Sequence, residues 1–452
     1  MQIVIVGDGK VGFALTQMLI DEEHSVTVVD SDPKVLERTQ EACDAMAVQG
    51  HGASRTVLLE AAADTAELLI AATDSDEVNL LSCLIAKKLG CQQTIARVRN
   101  PEYAADLALL RDEMGLTFAI NPEEACAREI FRLLQFPSLL AREQFAKGKM
   151  EIVKLKVREG SPLAGVPLFN LYSAARVQVL VCAVDRDGQV IIPNGSFVLQ
   201  QGDDIFVTAA VEDLTALLKN LGIVTRKTTQ VTLVGGSRLA LYLARLLLRS
   251  GMGVKIIEVN PERCHYLSEV LPAADIVEGD GTAQEVLLAE GVERSDALVA
   301  LTGIDEENIV LSMFARNMGM QTTITKCNRS QYTVMFNKMG IDTVVSPKIT
   351  IAEEIVRYVR ALDNSVGSAM ITLHQIAGGK AEALEFEADQ NSRVLDIPLT
   401  TLELKPGILI AGISRGMKTI IPRGDSVIRD GDSVVVVTAA DRRIYTLDDI
   451  LA

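Results

Sequence analysis

The chain has 452 residues, and at roughly 100–200 residues per domain this length predicts about three or four domains. Hydrophobic residues make up 48% of the sequence, which indicates a globular chain and excludes a disordered one. The formal net charge of −16 disfavours binding to nucleic acid or to an anionic lipid surface, because both need a basic face on the protein.

The sequence lacks the marks of a membrane-spanning or secreted chain. It contains no run of roughly 18 apolar residues, the length that a transmembrane helix needs. It begins in an apolar, strand-like segment without the basic region of a signal peptide, so we expect a cytosolic protein. The 7 cysteines include no CxxC pair and the 4 histidines no HExxH pattern. We therefore expect reduced cysteines and no metal site.

The start of the chain predicts a strand, a glycine turn, a helix and a second strand. Gln2–Val6 is apolar, residues 7–12 read GDGKVG, and apolar residues then recur at helical spacing. Ser25–Val29 is the second strand, and Asp30 follows it. GxGxxG alone is a weak signal, but a preceding strand, a following helix and an acid about 20 residues further on together favour a Rossmann dinucleotide site.

The residues of this turn have separate expected roles. Gly7 permits the tight turn, Gly9 leaves room for a pyrophosphate, and Gly12 lets the helix lie close to the strand. The helix N-terminus offers backbone N–H groups and a partial positive charge to phosphate. Asp30 is expected to accept hydrogen bonds from both ribose hydroxyls and to repel a 2′-phosphate, which favours NAD or ATP over NADP.

Two further predicted strand ends bring polar residues to the same sheet edge. The strand Leu68–Ala72 leads into Thr73 and Asp74, and another strand ends at Arg97, where an arginine can neutralise phosphate or form a surface salt bridge. Lys10 is either a phosphate contact or a solvated helix charge. The candidate cofactor-binding residues of this first unit are Gly7, Asp8, Gly9, Lys10, Val11, Gly12, Asp30, Thr73, Asp74 and Arg97.

The whole pattern then repeats. From about Glu151 the texture changes to short Val- and Ile-rich strands with Gly, Asp and Pro turns, and from residue 231 the strand–turn–helix order returns. The same offset of 229 residues separates Thr73 from Thr302 and Asn79 from Asn308. An internal duplication explains this register. We predict lobes N1 (1–138), C1 (139–226), N2 (227–365) and C2 (366–452). Each N lobe is an α/β, Rossmann-like, doubly wound parallel sheet, and each C lobe is a small α+β unit.

The second turn is less ideal than the first. Ser237 replaces the middle glycine and Ala240 the last one, so we expect a tighter pocket that still binds an adenine nucleotide. Arg238, at the helix start, is either a phosphate contact or a solvated helix charge, as Lys10 is in the first unit. The candidate cofactor-binding residues here are Gly235, Gly236, Ser237, Arg238, Glu258, Asp280, Thr302 and Lys326.

No motif predicts catalysis. Residues 412–416 read GISRG and fit GxSxG, but a strand-like segment follows and no histidine comes later in the chain, so we predict a hairpin turn and not a nucleophile elbow. A dehydrogenase needs a second lobe that supplies an acid or base, and the C lobes are poor in such residues. We predict a non-enzyme. The alternatives are an NAD-dependent oxidoreductase and a ligand-binding module of another transporter.

At this point the sequence resembles the RCK family (regulators of potassium conductance, also called KTN), over essentially its whole length. The residues that carry the resemblance are Gly7–Gly12, Asp30, Ala72–Asp74, Asn79, Arg97–Tyr103, Ile192–Asp203 and Ile421–Asp432. The resemblance implies N lobes that bind NAD(H) and ATP or ADP. It also implies a homo-oligomeric ring, a tetramer, at the cytosolic face of the membrane, where it docks on and gates a separate Trk-type potassium channel subunit.

Further expectations follow from the resemblance. Leu116–Ile120 would be the last N1 strand, followed by a crossover helix Pro122–Leu134 whose N2 partner is Thr350–Leu362. The apolar faces of these helices serve either ring assembly or an ordinary core. His51 stands where the family commonly has Asp, as at Asp280, which puts ligand selectivity at that edge of N1 in question. We expect ligands to act by shifting the population of two ring states.

Overall fold

The computed structural model describes residues 1–100, 103, 115–135, 141–223, 228–320, 322–329, 343–363, 370–416, 418–440 and 444–452. These residues form two compact units. The first comprises Met1–Phe131 and Thr229–Val356, and the second comprises Arg132–Thr228 and Arg357–Ala452. The predicted lobe boundaries after residues 138, 226 and 365 lie outside the described residues and stay predictions.

N1 is a parallel sheet with helices between its strands. Its strands are β1 (Gln2–Val6), β2 (Ser25–Asp30), β3 (Met46–Gln49), β4 (Leu68–Ala71), β5 (Gln93–Arg97) and β6 (Phe118–Ile120). Its helices are α1 (Lys10–Asp21), α2 (Pro33–Ala42), α3 (Arg55–Glu60), α4 (Asp76–Leu89) and α5 (Pro122–Gln135). The strand order β3-β2-β1-β4-β5-β6 reverses direction between β1 and β4, which is where ligands bind in such sheets.

C1 is an antiparallel sheet with two helices. Its strands are β7 (Ala141–Phe145), β8 (Met150–Lys156), β9 (Leu180–Arg186), β10 (Gln189–Ile191) and β11 (Asp204–Ala210), in the order β10-β9-β11-β8-β7. Its helices are α6 (Leu171–Ala175) and α7 (Val211–Asn220).

N2 repeats the N1 topology. Its strands are β12 (Gln230–Val234), β13 (Gly253–Glu258), β14 (Asp275–Glu278), β15 (Ala297–Ala300), β16 (Thr322–Lys326) and β17 (Val344–Val345), in the order β14-β13-β12-β15-β16-β17. Its helices are α8 (Arg238–Arg249), α9 (Pro261–Val270), α10 (Gln284–Ala289), α11 (Asp305–Asn317) and α12 (Pro347–Asp363).

C2 repeats C1, with strands β18 (Met370–Ile376), β19 (Ala381–Glu387), β20 (Ile408–Arg415), β21 (Lys418–Ile420) and β22 (Ser433–Ala439), in the order β18-β19-β22-β20-β21. The predicted fold class is therefore confirmed, with small shifts at element ends. Helix α12 begins at Pro347, three residues before the predicted start at Thr350, because proline fits the first turn of a helix.

The central strands are buried on both faces. Ile3, Val4, Ile5 and Val6 of β1 are at most 1% exposed, as continuous apolar strands are in a parallel sheet that helices cover on both sides. Helix α4 shows how the ends of a flanking helix are stabilised. The Ser75 side chain accepts a hydrogen bond from Val78 N, and the first turn is acidic and the last turn basic, which suits the helix dipole.

Within the first unit, hydrogen bonds join N1 to helices α8 and α12 of N2. The Tyr242 hydroxyl of α8 donates to Arg99 O at 3.2 Å, and Asn121 Nδ2 donates to that hydroxyl at 3.0 Å. Thr350 Oγ1 of α12 donates to Glu129 Oε2 of α5 at 2.8 Å. Helices α5 and α12 therefore join the two halves of one chain.

Within the second unit, the two C lobes share one apolar core. Side chains of both lobes are buried in it: Phe145, Ala146, Met150, Ile152, Cys182, Ala183 and Phe206 from C1, and Ile376, Ala377, Ala381, Ala383, Ala411, Val435 and Val437 from C2. Each C lobe also has an apolar core of its own. C1 and C2 are thus packed as a pair.

Candidate functional site

The glycine turn of N1 leaves no space for side chains at two positions. Gly7 has φ +87°, and a Cβ there would lie 2.6 Å from Thr73 Cγ2. A Cβ on Gly12 would lie 2.0 Å from the Gly7 carbonyl oxygen, so only glycine lets α1 start this close to β1. Gly9, in contrast, faces open space, because no atom of the described residues lies within 4 Å of an added Cβ. The turn is tight on its inner side and accessible on its outer side.

A cavity of ≈650 Å³ opens at this turn. Of the predicted residues, Gly7, Gly9, Lys10, Val11, Asp30, Thr73, Asp74 and Arg97 line it. Asp8 and Gly12 do not. Sequence reasoning did not assign a site role to Val6, Val29, Ser31, Val35, Gly50, Gly52, Ala72, Ser75 or Val78, which line it with His51. Ser31 and Ser75 each follow a predicted strand-end acid, and that position at the carboxyl edge was the available signal.

Asp30 lies at the tip of β2, half-buried at the cavity wall. Its Oδ2 accepts a hydrogen bond from Asp8 N at 2.7 Å, and its Oδ1 accepts one from Asp32 N at 2.9 Å. These two bonds fix the carboxylate against the glycine turn. Each oxygen retains accepting capacity, because a carboxylate oxygen has two lone-pair sites.

Asn79 connects the ends of β4 and β5. Its side-chain oxygen accepts from Thr73 N at 2.8 Å and from Thr73 Oγ1 at 2.6 Å, and its Nδ2 donates to Arg97 O at 2.9 Å. Asn79 is fully buried, so these bonds replace water entirely. The buried Asn79 amide therefore holds two residues that line the cavity, Thr73 and Arg97, next to each other.

Arg97 brings a largely buried cation to the cavity. Its Nη1 lies 3.4 Å from the Asp74 carboxylate, whose side chain is 97% exposed, so this ion pair is weak. Burial, and next the neighbouring Arg99, lower the pKa of Arg97. Its Nε has no hydrogen-bond partner among the described residues. Because Arg97 lines the cavity, an anionic ligand can interact with its guanidinium charge there.

Asp8 differs from the sequence expectation. Its side chain is fully buried on the other side of the turn, where it accepts hydrogen bonds from Thr39 Oγ1 and, at 3.3 Å, from Thr16 Oγ1. Burial raises the pKa of Asp8 to about 6. Thr39 is about thirty residues away in sequence, on α2, so no local pattern indicated this contact.

N2 has the same glycine turn, strand-end carboxylate and Asn bridge as N1, which we call the frame, but its helix α8 starts differently. Gly235 has φ +99°, and Glu258 accepts from Gly236 N at 2.5 Å and from Asn260 N at 2.8 Å, as Asp30 does from its own neighbours. Ser237 is the N-cap of α8, and its hydroxyl accepts from Ala240 N at 3.4 Å. The Ser237 hydroxyl thus caps the N–H group of Ala240. In N1 the N-cap residue is Gly9, which makes no side-chain hydrogen bond to the start of its helix.

The remaining N2 residues divide into two groups. Asn308 bridges Thr302 and Lys326 as Asn79 bridges its partners, and the Lys326 Nζ donates to Thr302 O at 2.8 Å. Burial lowers the pKa of Lys326. Arg238 and Asp280 are both exposed, and Asp280 accepts from Thr282 N and Thr282 Oγ1.

The described residues also show where the GxSxG sequence lies and whether a metal site or a membrane-spanning helix is present among them. Ser414 of the GxSxG sequence lies in β20 and pairs with Thr419 of β21, which confirms a hairpin. Residues 412–415 belong to its first strand, however, and not to the turn as predicted. Among the described residues, no group of His, Cys, Asp and Glu side chains is placed to hold a metal ion. None of the described helices combines the length and the apolarity needed to cross a membrane.

Comparison with known families agrees with this geometry. The TrkA-N domain model matches residues 3–122 and 231–347, just over half of the chain, and the TrkA-C domain model matches residues 152–222 and 383–451. The chain belongs to the TrkA family. The resemblance found in the sequence is thereby confirmed. Within the Arg97–Tyr103 stretch, Pro101 and Glu102 lie outside the residues that the structure describes.

Relatives of this TrkA-family chain match over nearly their full length. The chain is 33% identical over 448 residues to the Trk system potassium uptake protein TrkA homolog 1 of Methanosarcina mazei, covering 97% of this chain and 98% of that protein. It is 34% identical over 454 residues to the Trk system potassium uptake protein TrkA of Halomonas elongata, covering 99% and 98%. The family is therefore one of potassium-uptake proteins.

Solved structures share the fold. The GsuK channel bound to NAD matches with a TM-score of 0.62 and 19% identity, covering 97% of this chain and 77% of that one. The crystal structure of the GsuK RCK domain matches with a TM-score of 0.62 and 19% identity, covering 97% and 92%. At this identity the comparison establishes the RCK architecture.

Proposed function

We propose that the protein is a nucleotide-sensing regulatory subunit that gates a separate Trk-type membrane potassium channel subunit. The observation that carries this proposal is the ≈650 Å³ cavity of N1, where an uncapped helix start, the Asp30 carboxylate and the Arg97 guanidinium meet. Membership of a potassium-uptake family supports the physiological role. The ligand acts as a signal, and the subunit is not an enzyme.

NAD(H) is the ligand that we assign to N1. Its pyrophosphate lies on the backbone N–H groups at the start of α1, beside Gly9, and its adenine-side ribose donates to Asp30. Lys10 and Arg97 balance the phosphate charge. The GsuK channel, which shares the fold, has been solved bound to NAD, and this supports the assignment.

ATP or ADP competes for the same cavity in this proposal. An adenosine diphosphate fits the ribose and phosphate positions of the dinucleotide, and its terminal phosphate lies closest to the cation of Arg97. GsuK has also been solved bound to ADP, in a structure that matches this chain with a TM-score of 0.51. In N2, the residues Gly235, Gly236, Ser237, Arg238, Glu258, Asp280, Thr302 and Lys326 form the corresponding site, with weaker binding.

Gating follows from a difference in affinity. A ligand shifts the equilibrium between two conformations only if it binds one of them more tightly. We propose that the subunit forms a homotetrameric ring, which its channel partner holds at the cytosolic face of the membrane. NAD(H) and ATP or ADP favour different conformations of this ring.

The test is potassium flux in liposomes that contain a Trk-type channel subunit and the full-length protein. We expect flux to change among ATP, ADP, NADH and NAD. Asp30→Ala is expected to weaken NADH binding about 10- to 100-fold, because it removes hydrogen bonds to a charged acceptor. The matched variant Glu258→Ala is expected to change total binding less. Nucleotide-independent flux contradicts the proposal, and sustained NADH oxidation with a small carbonyl substrate supports an oxidoreductase instead.

A further inference from the structure

The proposed function leaves one buried acid at the glycine turn unused. Asp8 is fully buried, with its Oδ1 accepting from Thr16 of α1 and its Oδ2 accepting from Thr39 of α2. The guanidinium of Arg38 on α2 donates to the Asp8 carbonyl oxygen at 3.1 Å. The carboxyl group is thus enclosed between two helices directly behind the turn.

N2 shows that the fold does not require this group. With Gly7 aligned on Gly235, the position of Asp8 is Gly236 in N2. In the same register, Thr16 corresponds to Ala244 and Thr39 to Leu267. The acid and both of its hydroxyl partners are therefore absent from N2 together, which marks the cluster as a feature of N1 alone.

The Asp8 carboxyl lies close to the proposed phosphate position. Asp8 stands between Gly7 and Gly9, and its Oδ1 is 3.5 Å from the point that a Cβ on Gly12 would occupy. It therefore lies against the first turn of α1, whose N–H groups are assigned to the pyrophosphate. Two anionic groups at one helix start repel each other, so a bound phosphate favours the neutral carboxyl.

The surroundings place this titration near neutral pH. Burial raises the pKa of Asp8 to about 6, against hydrogen bonds from Thr39 and Thr16 and the charge of Arg38, which lower it, while Asp30 of β2 raises it further. Cys43 also lies near, and its own pKa is raised by burial and then by Asp8. Arg38, Asp30 and Cys43 are the charged or titratable groups that interact with this carboxyl among the described residues.

We propose that N1 takes up a proton at Asp8 when it binds a dinucleotide, so that its affinity rises as the pH falls, whereas N2 lacks this response. The inference rests on the proposed ligand site. Since the bound phosphate raises the pKa of Asp8, affinity is greatest below the free-state pKa and decreases as the pH rises through the bound-state pKa. N1 thereby combines nucleotide sensing with pH sensing.

The test is calorimetry of the full-length protein with NAD, in buffers of different ionisation enthalpy near pH 6.5 and across about pH 5.5 to 7.5. We expect net proton uptake and an affinity about three- to tenfold higher at the acidic end. Asp8→Asn, a permanently neutral isostere, is expected to abolish the uptake and flatten the profile. His51→Asn removes a second titratable group at the cavity and is expected to retain the uptake.

The outcomes separate the two proposals. Absence of NAD binding at every pH contradicts the proposed function. Binding with no proton uptake, or uptake that persists in Asp8→Asn and disappears in His51→Asn, overturns the proton linkage and leaves the ligand site intact. Asp8→Gly, which copies N2, is the second variant if Asp8→Asn does not fold, and it is expected to bind NAD without proton uptake.

Discussion

The two Rossmann lobes share a topology and differ at the start of the helix that follows the first strand. In N1 the N-cap is Gly9, which has no side chain, so the first N–H groups of α1 are open to a ligand. In N2 the N-cap is Ser237, whose hydroxyl already accepts from Ala240 N. One copy thus has a helix start without a side-chain cap, and in the other copy a serine side chain caps one N–H group.

What the copies retain is the bridge beneath the site. Thr73 N donates to the Asn79 side chain at 2.8 Å, and Thr302 N donates to the Asn308 side chain at 2.9 Å. Both amides donate onward to the carbonyl of the basic residue that ends the next strand. The comparison indicates that the frame is needed for folding, whereas the residues at the helix start are free to diverge with ligand preference.

The largest expected effect tests whether the frame is equivalent in the two lobes. Asn79→Ala and Asn308→Ala each leave buried backbone groups without partners, so each is expected to lower the free energy of unfolding of its lobe by about 2–4 kcal/mol. Urea unfolding followed by circular dichroism measures this. Asn317→Ala, at an exposed position on α11, is the control and is expected to cost less than about 0.5 kcal/mol. A large loss in only one lobe would break the equivalence.

Sequence alone predicted the parts of the site that are local in the chain, but not the hydrogen bonds by which Asn79 joins Thr73 to Arg97. The glycine turn, the acid at the strand tip and the repeated Thr73 and Asn79 positions are defined by spacing along the chain. The burial of Asp8 was not predictable in this way, because its partner Thr39 belongs to another helix. The N-cap role of Ser237 was accessible in principle, since serine directly before a helix favours capping. The pairing of N1 with N2 depends on contacts such as Asn121 with Tyr242, which no periodicity encodes.

A smaller effect is expected from exchanging the basic residues. Arg97 brings a planar guanidinium to the cavity, whereas the single side-chain nitrogen of Lys326 donates to Thr302 O. Arg97→Lys is therefore expected to weaken ADP binding to N1 about three- to tenfold, because the ammonium offers no bidentate contact to phosphate. The reciprocal variant Lys326→Arg is the matched control, and competition of ADP against NADH fluorescence is the measurement. Unchanged ADP affinity in Arg97→Lys would remove Arg97 from the phosphate site.

The smallest expected effect comes from exchanging the N-cap residues, Gly9 and Ser237, by which the two lobes differ. Ser237→Gly frees Ala240 N for a phosphate, and replacing a serine cap by glycine costs only a few tenths of a kcal/mol, so we expect NAD affinity at N2 to rise about two- to fivefold. The reciprocal change, Gly9→Ser, fits into open space and is expected to lower N1 affinity by a similar factor. Calorimetry of Ser237→Gly in an Asp30→Ala background isolates N2. If neither exchange alters affinity, the helix start does not distinguish the lobes, and the difference lies in the carboxylates Asp30 and Glu258.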